Sequence, residues 1–74
     1  TIFMNTSLSK FVIAYISFHD NVLTQEVVEA YNEYSALEGY LLSKGIEPYE
    51  EIKSVEGLKS LCFDMDSMIS AIKI

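Results

Sequence analysis

The sequence predicts an α+β domain in the order β-β-α-α-β: a β-hairpin, two helices and a C-terminal third strand, with the helices on one face of a small antiparallel sheet. Three features lead there. Lys10–Phe18 reads KFVIAYISF and is apolar at both parities, two later stretches open with helix caps, and the tail SMISAIKI is rich in Ile.

At period two, one face of Lys10–Phe18 is Phe11, Ile13 and Tyr15, and the other is Val12, Ala14, Ile16 and Phe18. A strand apolar on both faces belongs in the middle of a sheet and needs cover on both sides. A chain of 74 residues supplies only about one layer of helices. The expected second cover is another molecule, in a homodimer or higher closed oligomer, and whichever of these two faces the helices leave open is the expected oligomer interface.

His19-Asp20-Asn21 follows as a turn, since Asp and Asn tolerate left-handed backbone and bond their own main chain. Val22–Ala30 is then the returning strand. With Asp20-Asn21 as a two-residue turn, Phe18 pairs with Leu23, Ala14 with Val27, Ile13 with Val28 and Phe11 with Ala30. Glu26 and Glu29 interrupt both faces, which marks this strand as an edge.

Asn32 caps the first helix and Glu33 complements its dipole. The helix runs to about Lys44 on a stripe of Tyr34, Leu37 and Leu41 with Tyr40 beside it, and Gly45 stands at the left-handed position beyond its end. Pro48 stops any continuation through Ile46–Lys53 and suits the first turn of a short helical segment containing Glu50 and Glu51. Ser54 caps a second helix with Val55, Leu58, Leu61, Cys62 and Met65 at helical spacing. The end of the chain reads two ways, because Met68 and Ile72 would also continue that helix. The strand Ser67–Ile74 is preferred, since a two-stranded hairpin is marginal in water and the central strand needs a neighbour on each side.

Eleven acidic residues stand against five lysines, with no arginine and a net charge of −6. Nucleic-acid binders need Arg and Lys to neutralise phosphates and read bases, so direct nucleic-acid binding is not expected, nor is binding to anionic membranes. The single Cys62 rules out an internal disulfide framework and suits a reduced, cytoplasmic setting. No apolar run approaches the roughly 18 residues of a membrane helix. Thr1-Ile2-Phe3 precede Met4, which reads as an initiator, so these three are expected to lie upstream of the one folded domain.

Chemistry needs a nucleophile with a base, or paired acids in differing environments. His19 sits at a turn, Cys62 lacks a basic neighbour to lower its pKa, and Asp64-Met65-Asp66 lacks the further ligands and Gly of a calcium loop. No enzyme, metal or cofactor is expected. The candidate partner-binding residues are the acids Glu47, Glu50, Glu51 and Glu56, which suit a basic groove on another protein, and the tyrosines Tyr34, Tyr40 and Tyr49 near the first helix and its exit. A different class of function is a sequestering oligomer that encloses a nucleotide or metabolite, with Tyr31, Tyr34 or Tyr40 stacking on a base and Lys10, Lys44 or backbone amides meeting phosphate.

The succession FVIAYISF, HDN, QEVVEA and NEYSAL, in a short acidic chain without Arg, resembles the small accessory proteins of tailed phages over residues 8 to 44. That resemblance implies a protein that binds and blocks a host protein such as the sliding clamp or a restriction or other defence system. Some relatives of that kind are acidic mimics of DNA, a third reading, although the acids here are fewer and less evenly spaced than a long mimic needs.

Overall fold

A computed structural model describes residues 8–74, and the expectation about Thr1–Phe3 and Met4 lies outside the described residues. The elements are β1 (Ser9–Ser17), β2 (Val22–Ala30), α1 (Glu33–Ser43), α2 (Val55–Asp64) and β3 (Ser67–Lys73). The sheet is antiparallel throughout with the order β2-β1-β3, so the doubly apolar strand is central and β2 is an edge.

The hairpin differs from expectation in its register. Ile16, not Phe18, pairs with Leu23; Val12 pairs with Val27, Ile13 with Glu26, and Phe11 with Val28. The connection is four residues, Phe18–Asn21, closed by Asn21 N–H donating to the Ser17 carbonyl at 2.8 Å. A tight two-residue turn of type I′ requires positive φ at both central residues. With no glycine here, only Asn21 takes that conformation (φ 57°) and the loop lengthens. The pairing shifts by two residues, an even number, so each side chain keeps its face.

α1 begins at Asn32, whose side chain accepts from Ser35 N–H at 2.8 Å. It ends in a Schellman motif: Gly45 N–H reaches the Leu42 carbonyl at 3.0 Å and Ile46 N–H the Leu41 carbonyl at 2.9 Å, with Gly45 at φ 81°. Ile46 then packs against the core, the apolar contact such a motif favours. α2 is capped by Ser54 accepting from Gly57 N–H at 3.0 Å. Asp66, at φ 56°, turns the chain out of the helix, and Ser67 Oγ donates back to the Cys62 carbonyl at 2.8 Å. The tail is therefore a strand. Two expectations are corrected. The stretch 46–53 holds one hydrogen-bonded turn, Ile52 N–H to the Tyr49 carbonyl at 3.0 Å, and no helical segment. Met65 is an exposed C-cap, not part of the buried stripe.

Both helices lie on one face of the sheet. α1 touches all three strands, and α2 packs on α1 and β3. The core between the layers consists of Phe11, Ile13, Ala30 and Ile69 from the sheet with Ala36, Leu37, Tyr40, Leu41, Leu58 and Cys62 from the helices. Fully burying one of the larger of these side chains is worth roughly 1.5–3 kcal/mol.

Candidate functional site

The expected oligomer interface was whichever face of β1 the helices leave open, and the fold separates the two. Phe11 and Ile13 are 5% and 0% exposed beneath the helices, and Tyr15 packs against the same core with its ring 5.8 Å from that of Tyr40. Phe11 and Ile13 are thereby closed off by the helical layer, and Tyr15 is half-buried against it. Val12, Ala14 and Ile16 point the other way, followed by Phe18 at the turn, and among the described residues nothing covers that side. Their cross-strand neighbours join them: Val12 lies between Val27 and Ile72, Ala14 between Gln25 and Ser70, and Ile16 between Leu23 and Met68. Leu23, Val27, Met68 and Ile72 are 53–68% exposed. The sequence carried a signal for these four, since Leu23 and Val27 share one parity in VLTQEVVEA and Met68 and Ile72 share one in SMISAIKI. The reading of β1 alone missed them.

A second surface lies at the opposite, helical side. Glu47, Tyr49, Glu50 and Glu51 are all exposed on the 46–53 connection, and Glu56 is exposed in the first turn of α2. The connection is pinned at both ends. Ile46 and Ile52 pack against the core, and the Tyr34 hydroxyl donates to the Ile52 carbonyl at 3.0 Å with Glu38 Oε2 at 3.4 Å. Burial raises the Tyr34 pKa, and the Glu38 carboxylate raises it further. Tyr34 is thus half-buried and holds the acidic connection in place. Tyr40 is withdrawn altogether: it is 2% exposed, the Lys44 ammonium lies 5.2 Å above its ring, and its buried hydroxyl has no partner among the described residues. Burial, then the Glu26 and Tyr15 charges, raise its pKa. Two of the three tyrosines offered for stacking on a base are therefore occupied by the fold, which leaves the exposed Tyr31.

His19 is exposed at the hairpin loop, with Nε2 3.3 Å from Asp66 Oδ2. Phe18 N–H donates to the Asp66 carbonyl at 2.9 Å, so the contact ties the hairpin to the α2–β3 turn. Cys62 is wholly enclosed and burial pushes its thiol up, the reverse of what a nucleophile needs. Among the described residues no three His, Cys, Asp or Glu side chains group to hold a metal ion, and no helix is long and apolar enough to cross a membrane.

Compared with known proteins, the chain matches no family model, no curated protein and no solved structure.

Proposed function

We propose that this is a non-catalytic binding protein that occupies the surface of a second protein, an inhibitor or modulator of the kind that tailed phages encode and that acts in the host cytoplasm. The observation that supports this most is the pinned acidic connection. Glu47, Glu50 and Glu51 project from a segment anchored by Ile46, Ile52 and the Tyr34–Ile52 hydrogen bond, with the exposed Tyr49 among them. A segment held in one shape loses little entropy on docking, and its charge speeds and orients encounter with a basic groove. Tyr49 supplies the amphipathic contact typical of interface centres.

The test is affinity capture from a bacterial lysate by the wild-type chain and by a triple variant carrying Glu47→Gln, Glu50→Gln and Glu51→Gln. The expected result is a stoichiometric protein captured by the wild type in a salt-sensitive manner and lost, at least tenfold, by the variant. Equal capture by both, or turnover of a substrate by the purified chain, would refute the proposal.

A further inference from the structure

The uncovered sheet face differs from the rest of the surface in charge. Of the chain's eleven acids and five lysines, only Lys10 and Glu29 fall on the parity of that face. They are direct cross-strand partners at one end of it, so the face is formally neutral on a chain of net charge −6. Every other charge lies on the helical layer, the loops or the helix-facing parity of the sheet. Leu23, Val27, Met68, Ile72 and, beside them, Phe18 and Ile74 are 44–70% exposed. At on the order of 100 Å² each, these six leave roughly 600 Å² of apolar surface in contact with water. A monomer's largest patch is about 300–600 Å², and each side of a stable interface buries about 800 Å².

From this we infer that a second copy of the chain covers this face, related by a two-fold axis that runs across the strands above Ala14. The charge pattern points to a copy: a strongly acidic chain approaches itself with least repulsion through its one neutral face. The residue pattern then selects the axis. The face consists of three rows across the strands: Val27–Val12–Ile72, Gln25–Ala14–Ser70 and Leu23–Ile16–Met68. Rotation about an axis over the middle row sets each outer apolar row on the other outer row of the second copy. The middle row meets itself. Gln25 and Ser70 are uncharged and each both donates and accepts, so each can pair with its own counterpart, while the small Ala14 lets the sheets approach. The alternative axis, along the strands, would place Lys10 against Lys10 of the second copy, a like-charge contact, and Glu29 against Ile74. Sheets packed this way lie about 10 Å apart with their strands about 30° from aligned, and a two-fold contact closes without growing further. This surface is separate from the acidic connection, so the inference does not depend on the proposed docking function.

The test uses sedimentation equilibrium on the purified chain and on Gln25→Glu and Gln25→Lys. Gln25 is exposed, so both variants keep the fold, checked by circular dichroism. The expected result is a dimer mass for the wild type at micromolar concentration, a hundredfold or greater weakening in each variant alone, and a dimer restored on mixing the two. Val27→Asp, also at an exposed position, should give a monomer that no Gln25 variant rescues. A wild-type monomer at 100 µM would overturn the inference, whether the amino-terminal residues or a foreign partner cover the face instead. A dimer that persists in both Gln25 variants would overturn the assigned axis.

Discussion

Alanine at Gly39 and at Gly57 should shift stability in opposite directions. Both glycines lie in helices, where Gly costs about 1 kcal/mol relative to Ala. A Cβ at Gly39 meets nothing within 4 Å, so Gly39→Ala should recover most of that penalty. In a domain of this size 1 kcal/mol corresponds to a rise in Tm of about 4–8 °C. A Cβ at Gly57 falls 2.9 Å from Ile52 Cγ2 and 3.2 Å from Ser54 Oγ. Neither neighbour yields easily: Ile52 is β-branched, packs against the core and has its carbonyl held by Tyr34, while Ser54 Oγ accepts the capping bond from Gly57 N–H itself. Overpacking of this kind costs about 1–3 kcal/mol, which exceeds the helix-propensity gain, so Gly57→Ala should lower stability by about 1 kcal/mol. Urea melts followed by circular dichroism read both values. Equal signs would refute the reasoning: two losses would mean that α1 lies closer to β2 than described, and two gains that Ile52 is free to move.

Tyr40→Phe removes a buried hydroxyl that has no partner while keeping the ring contacts with Tyr15 and Lys44, and it should raise stability by about 1 kcal/mol in the same melts. The same substitution should flatten the alkaline limb of a stability–pH curve. Tyr40 holds its proton above the ordinary value of 10.0, so above about pH 10 the unfolded chain has released a proton that the folded chain still binds, and stability falls as pH rises through that range. Tyr34 and Cys62 are raised in the same direction and leave a residual slope, which for Cys62 begins near 9.0. Ser67→Ala breaks the buried 2.8 Å bond to the Cys62 carbonyl and should cost about 1 kcal/mol in a thermal melt, with little further loss because Met65 N–H still occupies that carbonyl at 2.9 Å.

The parts of the fold that sequence made legible are those where a local rule acts alone. Asn32, Gly45 and Ser54 sit at helix ends as their side chains or φ preferences require, and KFVIAYISF, apolar on both faces, is the central strand. Three points depended on longer-range geometry. The hairpin register turned on a four-residue loop that follows from the missing glycine, since Asn21 alone carries positive φ. The tail's choice between helix and strand turned on Asp66, whose left-handed backbone ends α2 before Met68 can join it. The covered face could not be read from β1, where Phe11, Ile13 and Tyr15 are as apolar as Val12, Ile16 and Phe18. It is legible only with α1, which follows the buried Ala30 within three residues and is thereby laid on the Ala30 side of the sheet. The exposure of the candidate residues was legible for Glu47, Tyr49, Glu50, Glu51 and Glu56. It was not legible for Tyr34 and Tyr40, because a tyrosine at helical spacing looks the same whether its hydroxyl faces a partner, a carbonyl or nothing.

The acids themselves separate into those the fold explains and those it does not. Glu33 and Glu56 stand in the first turns of α1 and α2, where the helix dipole favours a negative charge, and Glu33 also lies 4.0 Å from the Lys59 ammonium. Asp66 ends a helix and meets His19, Asp20 sits in the hairpin loop, Glu38 faces the Tyr34 hydroxyl, and Glu29 is opposite Lys10. Glu26 on β2, Asp64 at the end of α2, and Glu47, Glu50 and Glu51 cap no helix and, among the described residues, join no ion pair, and the last three stand together on one connection. Three like charges within five residues raise the free energy of the folded connection by mutual repulsion, although neutral polar residues would serve an exposed turn equally well. The fold has no use for that charge, and the docking surface proposed above would give it one. The same reasoning applies in reverse to the sheet face that nothing covers among the described residues, where valine, leucine, isoleucine and methionine are exposed and, among those residues, a single lysine–glutamate pair supplies the charge.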